Sequence, residues 1–448
     1  MLWTRRLLNL GLLFVLSNYL ILFGQMFPGL PLWGNLAVLA LLTLWYIGFQ
    51  IVPWRTDRQL PRRLKIMMGG RELYLTAALW AAAEGAFVLA MLGRLEGEQA
   101  LVLVANALMA LPVLALAAIN GFVRLMLTSA RLRLVLRVLL LLFWWFPVVN
   151  LVLIARACAL VKAEYRFELV RLERNEEREE SQVCQTRYPI LLVHGIFFRD
   201  WQIINYWGRI PGELIRNGAQ IFYGGQQSAA PVSRSAAELS RRIQEIVAET
   251  GCEKVNIIAH SKGGLDSRYA ITHMGMDRYV ASLTTINTPH RGCIYPQALL
   301  EKLPQGVVRW VEGRYNGLFR RLGDDSPDFL GGVTDLTARQ CALFNESTPD
   351  RAGVVYQSAM STMGGFFSAP FPLNLTYLLA RHYDSRENDG LVALDSAPWG
   401  EFLGNWAPAG RRGVSHGDVV DLMREDIPGY DVREAYVELV KGLKERGL

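Results

Sequence analysis

Five long apolar segments in the first third of the chain constrain its fold more than anything else in the sequence: residues 7–27, 32–52, 73–92, 101–119 and 134–154. Each is close to the roughly 20 residues that a helix needs to cross the ~30 Å hydrocarbon core of a bilayer. No soluble surface could carry so much apolar side chain. Hydrophobic residues make up 51% of the 448, and the excess sits here; after about residue 165 the sequence reads as an ordinary globular protein. Arg5 and Arg6 give the first segment the basic start of a signal peptide. No small-residue cleavage site follows and a second segment comes almost at once, so a retained helix is expected. The expected organisation is a transmembrane helical domain over 1–160 with about five spans, a charged helical stalk over 161–188, and a globular domain over 189–448.

The net charge of +6 does not indicate a nucleic-acid partner. Residues 1–160 hold 14 Lys and Arg against 5 Asp and Glu, which leaves 33 basic and 36 acidic residues in 161–448. The positive charge therefore belongs to the ends of the apolar segments. It alternates there: Arg55, Arg58, Arg62, Arg63, Lys65 and Arg71 lie between segments two and three, and Arg124, Arg131, Arg133 and Arg137 follow segment four. Between segments three and four stand only Arg94, Glu96 and Glu98. The positive-inside rule then puts the N-terminus in the cytoplasm and, after five crossings, the globular domain outside it, in a multi-pass protein of the cell membrane. The stretch after segment five is also rich in Arg and Lys, interleaved with Glu, and does not fit this alternation cleanly. Glu84, inside segment three, is a candidate by position, though a structural carboxyl between helices is the simpler role. The five cysteines form no CxxC pair or zinc-like spacing and are expected to be mostly free thiols.

From Pro189 short apolar runs alternate with amphipathic stretches. Strands are expected at 190–193, 220–223, 255–259, 281–286 and 354–358, and helices at 234–249, after Ser261 and at 432–444. Strands alternating with helices imply a mostly parallel sheet covered on both faces. The chemistry concentrates in VNIIAHSKGGLDSRY. A buried strand runs into Ala259-His260-Ser261-Lys262-Gly263 and then into a helix, the form of a nucleophile elbow. Small residues two before and two after Ser261 leave room for the sharp turn; the first is Ala259 where Gly is usual. Ser261 would also stand at a helix N-terminus, where backbone N–H groups favour negative charge. Upstream, ILLVHGIFF places His194-Gly195 directly after a strand, and INTPHRG follows the next strand downstream.

The order VHGIFF, NYWGRIP, AHSKGGLDSRY, NTPHRG, DLTARQCALFN, ENDGLV and VSHGDVVDL resembles the bacterial true lipases of the Pseudomonas/Burkholderia and Geobacillus/staphylococcal types over roughly residues 189–425. The apolar half has no counterpart in the secreted lipases. The resemblance implies an α/β-hydrolase fold fused to the transmembrane bundle and a membrane-bound serine esterase or lipase acting through an acyl-enzyme. The chain order Ser, acid, His makes Ser261 the nucleophile. His416 resembles the family's histidine loop, and Asp389 matches its acid loop. The backbone N–H groups of Ile196 and Lys262 would form the oxyanion hole.

Asp389 stands between Asn388 and Gly390, a turn that suits a lifted carboxylate; Asp384 and Asp395 are its neighbours in the sequence. His194 and His260 are expected to orient loops, and His290 to be structural. Asp418 lies where some of these lipases place a calcium ligand. The remaining ligands are not recognisable, so no metal and no cofactor is expected. Residues 294–382 form an insertion rich in aromatics and glycine, a cap over the site or a subdomain packed on the core. Expected partners are a lipid or other ester substrate and membrane lipids; the oligomeric state is open. The rival readings are an acyltransferase or deacylase of membrane amphiphiles with the same triad, and a membrane scaffold or transporter with an accessory hydrolase domain.

Overall fold

The computed structural model describes residues 2–448 except 27–28, 30, 52–59, 133, 197–205, 228, 322–323, 325, 409 and 411. Arg55, Arg58 and Arg133 of the basic loops lie outside the described residues. The chain divides into two compact units, Met1–Glu173 and Arg174–Leu448. The division falls inside the charged stretch, within a helix that continues to Glu177.

The first unit is helical: α1 (Leu2–Ser17), α2 (Tyr19–Met26), α3 (Leu32–Ile51), α4 (Arg62–Leu92), α5 (Gly97–Thr128), α6 (Leu134–Leu142) and α7 (Pro147–Glu177). Three of these, α3, α4 and α5, are long and apolar enough to cross a membrane. Leu32, Leu89 and Leu127 on these helices are more than three-quarters exposed. α4 and α5 approach closely through Gly70 and Gly121. A Cβ on Gly121 would lie 2.5 Å from the Tyr74 nitrogen, so only a residue without one fits this crossing. Polar side chains tie the helices together through main-chain carbonyls: the Tyr46 hydroxyl donates to Val113 O (3.0 Å), Asn106 Nδ2 to Ser17 O (3.0 Å) and the Tyr19 hydroxyl to Asn35 O (2.6 Å).

Two of the five expected spans are not continuous helices. The first is interrupted at Asn18. The fifth stops at Leu142 and restarts at Pro147. Proline has no N–H to give to the carbonyl four residues back, and its ring pushes the preceding residue out of helical geometry. The apolar run 134–154 is therefore divided between α6 and the first eight residues of α7 instead of forming one rod.

Among the described residues the second unit holds six parallel strands, β1 (Ile190–Val193), β2 (Ile221–Tyr223), β3 (Val255–His260), β4 (Val280–Ile286), β5 (Val355–Met360) and β6 (Glu401–Asn405), in the order β2-β1-β3-β4-β5-β6. Alternate residues of a strand face opposite sides, and each side has its own core. Ile190 and Leu192 pack with Ile258, Trp207 and Tyr436, beneath α8 (Ile210–Arg216) and the C-terminal helix Val432–Glu445. Leu191 and Val193 pack with Ile257, Leu239 and Ile271, beneath α9 (Val232–Thr250) and α10 (Lys262–His273). This is the α/β-hydrolase architecture. The sequence pattern anticipated β1 to β5 and missed β6, a mostly exposed edge strand with glycine at its fourth position. All five cysteines are free thiols.

Candidate active site

Ser261 stands between the end of β3 and the start of α10 at φ 55°, ψ −130°. A non-glycine residue at positive φ is strained and needs its surroundings to hold it. Here the Ser261 N–H donates to Ile286 O at the end of β4 (2.9 Å), and the Thr288 hydroxyl donates to Ser261 O (2.7 Å). The turn admits no side chain at Gly263, where a Cβ would lie 2.5 Å from His194 O, and none at Gly195, where it would lie 2.8 Å from the Ser261 Cβ. Gly195 thus brings the loop after β1 against Ser261. Ile196 and Lys262, from that loop and from the first turn of α10, are both buried. Neither backbone N–H has a hydrogen-bond acceptor among the described residues. The Lys262 side chain turns away into a buried ion pair with Asp266 (2.7 Å) and a bond to the Ser235 hydroxyl (3.0 Å). Burial raises the Asp266 carboxyl to about 6 despite the neighbouring ammonium.

The structure brings Asp389 and His416 together: Asp389 Oδ2 lies 2.6 Å from His416 Nδ1. The carboxylate has no exposure. Its Oδ1 accepts the N–H groups of Leu391 (2.8 Å) and Val392 (2.7 Å), and Oδ2 also accepts Asn287 Nδ2 (2.5 Å). The backbone seconds this contact, since the His416 N–H donates to Asp389 O (2.8 Å). Asp384 and Asp395 do other work. Asp384 caps the helix Ile294–Lys302 by accepting the N–H groups of Ile294 and Tyr295 (2.6 and 3.1 Å). Asp395 sits in the short turn Leu394–Ser396.

The His416 ring lies beside the elbow, its centroid 4.4 Å from that of His260, the residue before Ser261. His260 Nδ1 faces the Tyr206 hydroxyl at 2.6 Å, and that hydroxyl also accepts the Gly195 N–H (3.2 Å). Burial first, and then the neighbouring His416, hold His260 well below the usual imidazole range, so His260 stays neutral. His290 likewise stays neutral, by burial and then by the charges of Arg268 and Arg291. It bridges Thr285 (2.9 Å) and stacks on Trp399, with the Arg268 guanidinium 3.5 Å from the same indole.

Three contributors were not singled out in the sequence. Asn287 lies in the NTPHRG motif, but only its φ of 50° and its bond to Asp389 reveal a role. Tyr206 and Arg209 lie in NYWGRIP. Arg209 bonds Asp421 and Asp426, both at 2.8 Å, just beyond the histidine loop. Asp418, considered for calcium, accepts the Ser415 N–H (3.0 Å) and Arg412 (3.2 Å). Asp418, Asp421 and Asp426, beyond His416, are thus met by guanidinium groups.

Residues 223–314 match the family described as "Putative serine esterase (DUF676)". The triacylglycerol lipase of Pseudarthrobacter phenanthrenivorans is 35% identical over 177 residues, 37% of this chain and 54% of that protein. The triacylglycerol lipase of Burkholderia plantarii is also 35% identical over 177 residues, 37% of this chain and 49% of its own length. The chain spans about half the length of these relatives. The mature Bacillus licheniformis lipase BlEst2 has a similar structure, with a TM-score of 0.42, 20% identity, and coverage of 57% of this chain and 92% of its own.

Proposed function

We propose that the chain is a membrane-bound serine hydrolase that cleaves carboxylic esters of lipids through an acyl-enzyme on Ser261. The observation that carries this reading is the 2.6 Å contact of Asp389 with His416 Nδ1, made beside a strained elbow serine. The contact fixes the tautomer with its proton on Nδ1 and leaves Nε2 free to accept the Ser261 proton. The Ser261 oxygen attacks the ester carbonyl, and the carbonyl electron pair moves onto oxygen. Its charge falls between the N–H groups of Ile196 and Lys262, at the positive end of α10. Collapse expels the alcohol, which takes the proton from His416. Water then repeats the cycle: His416 accepts a proton from water, water attacks the acyl carbon, and Ser261 leaves with the proton returned. Asp389 supports the imidazolium throughout without taking a proton itself.

The lipid part of the reading rests on the apolar unit and on the kinship with triacylglycerol lipases. Phe367 and Phe371 in the insertion are also largely exposed, as suits a face that meets apolar substrate. Five crossings from a cytoplasmic N-terminus would put the catalytic unit outside the cytoplasm; the interrupted fifth segment removes one of them. The test is fatty-acid release from mixed acylglycerol and phospholipid vesicles by the purified full-length protein. Wild type should release acid, and Ser261→Ala should fall by several orders of magnitude. Transfer of the acyl group to an added alcohol in preference to water would favour the acyltransferase reading instead.

A further inference from the structure

We infer that residues 134–156 form a re-entrant hairpin, so that the catalytic unit lies on the cytoplasmic side of the membrane. The inference rests on the reading that the first unit is embedded in a bilayer. α6 has nine residues, about 14 Å of helix, too short to cross a ~30 Å hydrocarbon core. The chain then breaks at 143–146 and returns as α7.

The returning arm comes back to the end it left. Ile154, Ala157, Cys158 and Val161 pack against Leu64, Met67 and Met68 at the start of α4, and against Leu125, Leu132, Leu136 and Leu140. Arg71 Nε donates to Cys158 O (3.0 Å). Six residues on, the buried Glu164 carboxylate accepts the Ser129 hydroxyl (2.6 Å), the N–H groups of Ala130 (3.0 Å) and Arg131 (3.1 Å), and the Arg63 guanidinium. Arg63 also donates to Thr128 O (2.7 Å), the last residue of α5. The first turn of α4, the last of α5 and Glu164 therefore share one end of the bundle. The chain leaves that end at Leu134 and is back at it by Glu164, without a crossing.

A break inside hydrocarbon needs partners for its main-chain groups, and three of its carbonyls have them within the hairpin. Phe143 O accepts the Phe146 N–H (3.1 Å), Trp144 O accepts Asn150 Nδ2 (3.2 Å) and Phe146 O accepts the Asn150 N–H (2.9 Å). Trp144 and Trp145 are largely exposed at the tip, where lipid would cover them. The end shared by α4, α5 and Glu164 carries Arg62, Arg63, Lys65, Arg71, Arg124, Arg131 and Arg137, whereas the opposite loop has only Arg94 with Glu96 and Glu98. By the positive-inside rule the basic end is cytoplasmic. The chain leaves for the catalytic unit from that end. This reverses the extracytoplasmic placement expected from five crossings, and it makes esters presented by the inner leaflet the substrate class.

Single-cysteine labelling of the full-length chain tests the inference. Glu96→Cys marks the loop after α4 and Glu180→Cys the start of the catalytic unit; both positions are exposed. Cys252, the one native thiol that is not buried, is replaced by serine in both. A membrane-impermeant maleimide should label Glu96→Cys in intact cells and Glu180→Cys only in inverted vesicles. Labelling of Glu180→Cys from outside, or of both positions from the same side, would overturn the inference. Alkaline carbonate extraction of the same membranes separates the two readings: a protein released by carbonate defeats the membrane reading itself, whereas a retained protein with the wrong labelling defeats only the hairpin and its orientation.

Discussion

In the apolar unit a polar side chain usually bonds the main chain of another helix, as Tyr46, Asn106 and Tyr19 do. In the α/β unit the polar groups of the site bond one another: Asp389 to His416 and Asn287, Tyr206 to His260, Lys262 to Asp266. The first arrangement fixes helices, and many small contacts share the task. The second fixes the orientation of individual rings and carboxylates, so that a single loss is felt at the reacting atoms. Substitutions should therefore separate the two regions by size and by kind of effect.

The largest separation is expected at Asp389. Asp389→Asn keeps the shape but removes the anion that holds the Nδ1 proton, and kcat on a p-nitrophenyl ester should fall about 10⁴-fold with little change in KM. Asp384→Asn, a helix cap, should leave kcat within a few-fold. A near-wild-type Asp389→Asn would show that the acid lies elsewhere.

Arg209 comes next, and its effect is on stability. Its guanidinium is the bonded partner of Asp421 and of Asp426, whose side chains are only 1% exposed. Removing one member of a buried charge set costs about 3–5 kcal/mol. Arg209→Met should lower the thermal inactivation midpoint of esterase activity by many degrees, and an unchanged midpoint would contradict the packing described here.

Acid should act on the same unit. His260 and His290 are held neutral well below the usual imidazole range. Below about pH 6.5 the unfolded chain takes up protons at both positions and the folded chain does not, so stability falls as pH falls. The slope approaches about 1.4 kcal/mol per pH unit for each histidine. Denaturant midpoints followed through the activity at pH 7 and pH 5.5 would check the sign; a midpoint that rises on acidification would refute it.

The smallest effect is expected in the apolar unit. Asn106→Leu removes bonds to Ser17 O and Asn18 between helices. Hydrogen bonds of this kind are worth about 0.6 kcal/mol on average. Activity in detergent should change by less than twofold, and a large loss would mean that this helix contact does more than join helices.

The sequence disclosed the two regions unequally. In the α/β half, Val255–His260 and Val280–Ile286 are buried along their full length, so their apolar runs stand out, and the elbow follows from the small residues that the turn demands. Asn287, Tyr206 and Arg209 did not stand out, because each acts across more than 50 residues of chain and no local pattern encodes such a partner. In the apolar half hydropathy marks where helices lie but not where they stop. The run 134–154 is apolar throughout apart from Arg137 and Asn150, and only Pro147 hints that it folds back. Glu164 reads as one more charge in a solvated stalk until its bonds to Ser129, Ala130 and Arg131 are seen.

In the proposed mechanism Ser261 is a nucleophile activated by His416. Labelling with a fluorophosphonate probe, followed by peptide mapping, tests it most directly. A single adduct is expected on Ser261, absent in Ser261→Ala and formed at least about 100-fold more slowly in His416→Ala. An adduct at another serine, or labelling of Ser261 at the wild-type rate without His416, would contradict it.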